Sequence, residues 1–365
     1  MPDLFEPVTV GEWTLDNRVA MAPMTRNRAT PDGVPTALMA AYYGQRAAAG
    51  LIITEGVQPS AAGQGYMNSP GLHTPEQIEG WRAVADAVHR GGGRVVAQLM
   101  HAGRVSHPDN KHQAETVAPS AIALPGEMRT AAGRRPHPVP RALRAEEIPS
   151  VVEEYAQAAR AAIDAGLDGV ELHGANGYLP HQFLAPSTNR RTDAYGGGPR
   201  ARARFVIEVA RGMADAIGAE RVGIRLSPAI NLHGALEDDA EATAVTYRTL
   251  VDALSAMGLA YLHTIGDPGT PLLKDLADRF AGPRVVSNGW DPVTDLAIAR
   301  DLVESGRADL VAVGRAFIAN PDLIRRWRTG AALNEPDCTA FYGGDHRGYT
   351  DYPTLAEAEA AAGSA

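Results

Sequence analysis

The sequence predicts an α/β protein of the (β/α)8 type, a TIM barrel, and two patterns support this. Eight short apolar runs alternate with amphipathic stretches of helical period. No Gly-x-Gly-x-x-Gly follows the first run, which disfavours the alternative of a doubly wound open sheet. The predicted strands lie near 18–23, 50–55, 94–99, 168–173, 221–226, 259–264, 283–287 and 308–313.

Helix starts between these strands follow from capping patterns. Thr74-Pro75-Glu76-Gln77 combines an N-cap, a first-turn proline and a capping-box glutamine. Asp291-Pro292 and Asn320-Pro321 repeat the cap-then-proline order. A further helix is predicted after Pro199.

Three stretches fall outside the repeat. Residues 7–16, with Gly11 in the turn, predict a hairpin that closes the bottom of the barrel. Residues 101–146, rich in Pro, Gly, His and Arg, form a long excursion after the third strand, and excursions of that length are usually functional or disordered. A C-terminal tail covers 331–365, and we expect the whole chain, 1–365, to form a single domain.

Composition excludes several classes of function. The formal charge of −9 argues against nucleic acid and anionic membranes as partners. No apolar run approaches the roughly 18–20 residues of a membrane span, and no signal peptide is recognisable. Cys338 is the single cysteine, which excludes an internal disulfide and any cluster that needs several thiolates. We expect a cytoplasmic protein that holds no metal.

Polar residues with catalytic potential follow the fourth predicted strand. His173, Asn176 and Tyr178 stand within six positions and are separated by glycines. Hydrogen-bond donors and a phenol on such a turn can converge on one small ligand. His173 and Asn176 could hold a carbonyl oxygen, and Tyr178 could deliver a proton to a neighbouring carbon.

The last two strands are followed by Asn288-Gly289 and Gly314-Arg315. Barrel enzymes frequently bind phosphate at this position, because glycines expose backbone N–H groups and arginine adds a charged fork. This pattern favours a ligand with one phosphate over a dinucleotide.

The run His173-x-x-Asn176-x-Tyr178, continued by Leu179, Gln182-Phe183 and Asn189 to Gly197, resembles the signature of the Old Yellow Enzyme family. The similarity extends from Asn17-Arg18-Val19 to Gly348-Tyr349-Thr350-Asp351-Tyr352-Pro353. Members of that family are FMN-dependent ene-reductases on a TIM barrel. The resemblance implies non-covalent FMN, NADPH or NADH as co-substrate, and a small activated alkene as substrate. A monomer or a homodimer is expected.

The resemblance also implies a role for each matching residue. Pro23, Met24 and Gly56 would contact the isoalloxazine through their backbone, and the Thr25 hydroxyl would bond the flavin C4 carbonyl. Gln98 would read the pyrimidine edge, and Arg225 would lie beside N1 and the C2 carbonyl. Tyr66 and Tyr342 would line the substrate side, and the 101–146 excursion would cap the site.

Several of these residues could also have a purely structural role that involves no ligand. Gln98 could satisfy barrel carbonyls, Arg225 could pair with Glu171, and His263 is expected to fill the barrel. His101 and Arg104 could either anchor loops or contact substrate.

Two other functions are compatible with parts of the sequence. A barrel lyase or isomerase acting on a phosphorylated substrate would explain the phosphate segments but leaves Thr25, Gln98 and Arg225 without a shared purpose. A non-catalytic flavin or steroid binder is a further alternative. Larger flavin reductases that hold iron–sulfur clusters are excluded by the single cysteine.

Overall fold

The structure, a computed structural model, describes residues 1–289 and 291–363. Its strands are β1 (Val8–Val10), β2 (Trp13–Leu15), β3 (Val19–Met21), β4 (Leu51–Val57), β5 (Val95–Leu99), β6 (Val117–Ala118), β7 (Glu127–Thr130), β8 (Gly133–Pro136), β9 (Arg141–Ala142), β10 (Gly169–Gly174), β11 (Val222–Leu226), β12 (Tyr261–Ile265), β13 (Arg284–Ser287) and β14 (Leu310–Val313). Its helices are α1 (Ala37–Gly44), α2 (Pro75–Arg90), α3 (Ile148–Asp164), α4 (Leu179–Leu184), α5 (Pro199–Ile217), α6 (Ala240–Met257), α7 (Pro271–Arg279), α8 (Leu296–Glu304), α9 (Arg315–Ala319), α10 (Leu323–Thr329) and α11 (Leu355–Ala362).

A closed parallel barrel forms the centre of the molecule. Within the described residues, β3, β4, β5 and β10 to β14 pair side by side in chain order, and β14 pairs with β3 to close the cylinder. These strands are almost wholly buried, as expected where helices cover a parallel sheet. Every predicted strand overlaps an observed one, which confirms the (β/α)8 barrel.

The bottom of the barrel is closed by the predicted hairpin, β1 and β2. Gly11 lies in its turn with φ +55°, and a Cβ there would come within 2.0 Å of the Glu220 carbonyl oxygen. Trp13 packs in an apolar cluster with Ile53 and Val96 of the barrel strands. It lies close against Gly169, the first residue of β10, so the hairpin plugs the N-terminal end of the barrel.

Capping chemistry predicts two of the helix starts. The Thr74 side chain accepts the N–H of Gln77, and the Gln77 side chain accepts the N–H of Thr74, which completes the capping box of α2. α5 begins at Pro199, as predicted. Both helices therefore start where local chemistry favours them.

Two other predicted starts are wrong. α8 is capped by Asp295, whose carboxylate accepts the N–H of Ile298, so Asp291 lies before the helix. α10 begins beyond Asn320, because the Asn320 side-chain amide donates to the Ala316 carbonyl and does not cap.

The excursion of residues 101–146 packs against the C-terminal end of the barrel. Its short strands pair as β6 with β9 and β7 with β8. Arg191, which follows α4, donates to the carbonyls of Pro119 (3.0 Å) and Leu143 and so ties the segment between α4 and α5 to the excursion. Met128 packs in one apolar cluster with Tyr66 and Tyr178.

Buried arginines anchor the C-terminal tail. The Arg26 guanidinium donates to the carbonyls of Phe341 (2.8 Å) and Gly348 (2.8 Å). The ring of Tyr349 stacks on that of Tyr42 with centroids 4.1 Å apart. The last two residues of the predicted tail, 364–365, lie outside the described residues. None of the described helices is long and apolar enough to cross a membrane.

Candidate active site

A cavity of about 800 Å³ opens at the C-terminal end of the barrel. Segments that follow β3, β4, β10, β11, β13 and β14 line it, together with Arg129 of the excursion and residues 341–344 of the tail. Parallel strands all end at one face of a barrel, so residues far apart in sequence meet there.

Most of the predicted site residues line this cavity. They are Pro23, Met24, Thr25, Tyr66, Asn176, Tyr178, Arg225, Gly289, Gly314, Arg315 and Tyr342. Four others do not form its surface: His173 and Gln98 are nearly fully buried, Gly56 lies within β4, and Asn288 is partly exposed, 3.5 Å from the Pro292 carbonyl.

The turn after β10 holds Asn176 in an unusual backbone conformation. Asn176 has φ +58°, a left-handed value that asparagine tolerates better than most residues. Its N–H donates to the Ser227 Oγ (2.9 Å), and its carbonyl accepts from the His233 Nδ1 (2.7 Å). Gly177 has φ +76°, and a Cβ there would lie 2.4 Å from the Leu232 carbonyl oxygen. The β11–α6 connection therefore fixes the Asn176 backbone on both sides.

His173 and Tyr178 lie side by side, with ring centroids 4.9 Å apart and planes at 67°. The Tyr178 hydroxyl hydrogen-bonds the Tyr66 hydroxyl at 2.9 Å. Burial, followed by the positive charge of Arg225, lowers the pKa of His173 well below its usual value. Burial, followed by Tyr66, raises the pKa of Tyr178 well above its usual value. The site thus holds a neutral imidazole and a protonated phenol at neutral pH.

A charged network lies deeper in the barrel. The Glu171 carboxylate accepts from the Gln98 Nε2 (2.7 Å) and from the His263 Nδ1 (2.8 Å). On β11, Arg225 lies opposite His173 of β10 and His263 of β12 in the strand register. Burial lowers the pKa of Arg225 to about 10. His263 fills the barrel as expected, whereas Gln98 bonds a carboxylate rather than carbonyls.

The buried polar atoms at this end of the barrel that have no hydrogen-bond partner among the described residues include His173 Nδ1, Asn176 Oδ1 and Arg225 Nε. Buried polar groups are nearly always paired in native proteins, so unpaired ones beside a cavity indicate a ligand with several polar atoms. Gly289, Gly314 and Arg315 meet at the same cavity and suit one phosphate. A planar heterocycle with a polar edge and a single phosphate, such as FMN, fits this set of groups.

His233 and Arg129 are among the cavity residues that the sequence did not predict. His233 lines the cavity with its ring 5.4 Å from that of Tyr178, and Arg129 lines it from the excursion. His233 belongs to no motif and meets the site only because the β11–α6 connection folds back. Arg129 is one of many arginines in the excursion, and no signal distinguishes it. Arg104 donates to the His233 carbonyl and to that of Gly234, so it anchors loops.

Comparisons with known proteins agree with this geometry. Residues 3–334 match the model of the NADH:flavin oxidoreductase / NADH oxidase family. The chain is 42% identical to a probable flavin mononucleotide-dependent alkene reductase of Leishmania infantum, over 96% of this chain and 97% of the relative. It is 41% identical to 12-oxophytodienoate reductase 7 of Oryza sativa subsp. japonica, over 97% and 95% of the two chains.

Solved structures give the same result. The old yellow enzyme homologue from Zymomonas mobilis superposes with a TM-score of 0.91 at 39% identity, covering 97% of this chain and all of that one (100%). Morphinone reductase in complex with tetrahydroNAD superposes with a TM-score of 0.91 at 47% identity, covering 97% and 98%. The chain belongs to the NADH:flavin oxidoreductase / NADH oxidase family and is a member of its Old Yellow Enzyme group.

Proposed function

We propose that this protein is an FMN-dependent ene-reductase that oxidises NADPH or NADH and reduces activated carbon–carbon double bonds. The observation that carries the proposal is the group of unpaired buried polar atoms on His173, Asn176 and Arg225, next to Tyr178 and the cavity. The names of the relatives support it, since they include an alkene reductase and oxophytodienoate reductases.

Seven of the ten proposed cofactor residues line the cavity, and Gly56, Gln98 and Asn288 do not form its surface. When bound, FMN accepts a hydride from the reduced nicotinamide and passes it to the β-carbon of the alkene. For this chain we assign backbone contacts to Pro23, Met24 and Gly56, and a side-chain contact to Thr25. Gln98 and Arg225 would bind the pyrimidine edge, and Asn288, Gly289, Gly314 and Arg315 would bind the phosphate.

His173 and Asn176 are the proposed donors to the substrate oxygen. Both can donate without carrying charge, because His173 is neutral and Asn176 is an amide. Negative charge develops on that oxygen as the double bond is reduced, so these bonds strengthen in the transition state. By analogy with other oxyanion donors, each would contribute about 2.7–4 kcal/mol.

Tyr178 is the proposed proton donor to the α-carbon. Its raised pKa keeps the phenol protonated in the resting site, and its hydroxyl is already held by Tyr66. Tyr66 and Tyr342 line the same cavity and are assigned to the substrate side. The excursion would exclude water from the cavity through Met128, which lies in one apolar cluster with Tyr66 and Tyr178.

The lyase or isomerase alternative is not favoured. It would use the phosphate segments, yet it provides no role for the neutral His173 beside a protonated Tyr178, or for the network beneath them. A non-catalytic flavin binder would need the same cofactor groups but not the proton donor. We further propose that the chain acts as one domain, as a monomer or homodimer in the cytoplasm.

The visible absorption spectrum of the purified protein tests the proposal. We expect a flavin spectrum that bleaches when NADPH is added without oxygen and returns when cyclohexenone follows. Stoichiometric flavin without turnover would favour the non-catalytic binder. A colourless protein that cannot be reconstituted with FMN would contradict the proposal and favour the lyase.

A further inference from the structure

A buried carboxylate at the centre of the barrel has no role in the proposed chemistry. Glu171 on β10 is fully buried, and its two oxygens accept from Gln98 and from His263. Burial alone would raise the pKa of Glu171, but His263, Arg225 and Gln98 together hold it below its usual value. Burial also lowers the pKa of His263, so the carboxylate is ionised beside a neutral imidazole. A barrel-filling residue would not need this charge.

The charge of Glu171 fixes which way the Gln98 amide faces. A carboxylate only accepts hydrogen bonds, so Gln98 must direct its NH2 group to Glu171, as the 2.7 Å Nε2–Oε1 distance shows. The amide oxygen of Gln98 is then the atom available to a ligand. An acceptor at this position matches the N3–H donor on the pyrimidine edge of a flavin.

The same charge balances Arg225. Glu171 pairs in register with Gly223, and His173 pairs with Arg225, so the Glu171 and Arg225 side chains project from the same face of neighbouring strands. Burial lowers the pKa of Arg225, and Glu171 is the strongest influence that supports its charged state. His173 and His263 are both neutral, so Glu171 is the negative charge that offsets Arg225 in this part of the barrel. Without it, Arg225 would attract the negative charge of a reduced flavin more strongly.

We propose that Glu171 is a positioning residue for the cofactor: it sets the Gln98 amide to accept the flavin N3–H, and it limits how strongly Arg225 favours reduced over oxidised FMN. The inference rests on the proposed function, because it needs Gln98 and Arg225 to contact FMN. The two are separable by experiment. Failure of the wild-type protein to bind FMN would sink the proposed function, whereas wild-type binding with an unaffected Glu171 variant would sink only this inference.

Glu171→Gln is the informative variant. With the His263 proton retained on Nδ1, the new amide accepts it through its oxygen and donates its NH2 to Gln98, so the Gln98 amide turns and presents its own NH2 to the flavin. The apo-protein should then bind FMN roughly 5- to 150-fold more weakly, the range for one buried donor left unpaired. In the FMN-loaded variant, the preference for reduced over oxidised FMN should rise by about tenfold. The reduction potential of the bound flavin, a two-electron couple, should therefore rise by about 30 mV.

FMN methylated at N3 probes the proposed contact directly. This flavin lacks the N3–H donor, so the wild-type apo-protein should bind it at least tenfold more weakly than FMN, measured by quenching of flavin fluorescence. Glu171→Gln should lose most of that discrimination. Glu154→Gln, the same substitution on the outer helix α3, is the matched control and should leave both affinities unchanged.

Exchanging the two side chains separates positioning from damage to the fold. In Gln98→Glu/Glu171→Gln, a carboxylate at 98 can accept both from the amide at 171 and from the flavin N3–H. FMN affinity should recover to within a few-fold of wild type. The inference is overturned if Glu171→Gln binds both flavins like wild type with an unchanged potential, or if the exchange binds FMN no better than the single variant or fails to fold.

Discussion

Removal of the Ser227 hydroxyl should weaken the oxidative half-reaction, the reduction of the alkene by the reduced enzyme, more than it slows the reduction of the flavin by NADPH. Ser227 is fully buried, and its Oγ accepts the N–H of Asn176 at 2.9 Å. In Ser227→Ala that buried N–H has no partner, which costs about 1–3 kcal/mol. The left-handed backbone of Asn176, at φ +58°, is also less favourable than ordinary helical values, although asparagine tolerates it better than most residues.

The turn can relieve the unpaired N–H by leaving this conformation, because Asn176 itself is then held on its carbonyl side, by His233. A penalty of about 1–3 kcal/mol would shift the equilibrium away from the conformation with Asn176 in place by roughly 5- to 150-fold, and the fraction of enzyme in that conformation would fall by up to this factor. Since the substrate oxygen would contact Asn176, the apparent affinity for cyclohexenone should fall by the same factor. The rate of flavin bleaching by NADPH should change less.

Stopped-flow absorbance at the flavin band measures both half-reactions separately. Ser106→Ala is the matched control, because Ser106 is also fully buried and hydrogen-bonded but lies in the excursion. Both variants should lose some stability, yet only Ser227→Ala should lose enone affinity. Equal enone affinity in Ser227→Ala and wild type would refute the claim that this hydroxyl positions Asn176.

Three further predictions follow from the site and the fold. Tyr178→Phe removes the proposed proton donor, and stopped-flow reoxidation by enone should slow by about 10²–10⁴-fold while bleaching by NADPH stays within a few-fold of wild type; equal slowing of both would argue for general damage. Between about pH 6 and about pH 9, enone affinity should be flat, because burial and Arg225 keep the pKa of His173 below that range and burial and Tyr66 keep the pKa of Tyr178 above it. An inflection near 6.5 in a pH titration of the dissociation constant, absent in His173→Asn, would show instead that His173 titrates. Trp13→Ala should lower the free energy of unfolding in urea by about 3–5 kcal/mol while the folded protein retains FMN, because Trp13 plugs the end of the barrel opposite the cavity. Loss of FMN affinity at unchanged stability would contradict this prediction, and Val139→Ala, at an exposed position, is the control.

The alternation of apolar runs and amphipathic stretches was sufficient to predict the barrel, because each of its strands must be apolar on both faces and each helix must cover the sheet. The bottom hairpin was also predictable, since Gly11 and Trp13 have distinct turn and packing roles. The starts of α8 and α10 were not predicted correctly. In both places a proline pattern suggested an earlier start, and a competing side-chain bond, at Asp295 or at Asn320, decided the outcome.

For the candidate site, sequence predicted the residues that follow strand ends, since barrel geometry brings those ends together. It could not predict His233, whose contact with Asn176 depends on the path of the β11–α6 connection. Nor could it predict the hydrogen bonds that Glu171 accepts, because a glutamate inside a strand carries no sign of which neighbours it will meet. The bonds from Gln98 and His263 join residues 73 and 92 positions away in sequence.

Reoxidation of chemically reduced enzyme by an enone, without any nicotinamide present, tests the central claim most directly. The loaded protein would be reduced with dithionite to its endpoint under argon, mixed with cyclohexenone, and analysed for flavin absorbance and for cyclohexanone by gas chromatography. The account predicts full recovery of the oxidised flavin spectrum with one cyclohexanone formed per FMN. A reduced enzyme that reacts with oxygen but stays bleached in the presence of the enone, with no saturated ketone formed, would contradict it.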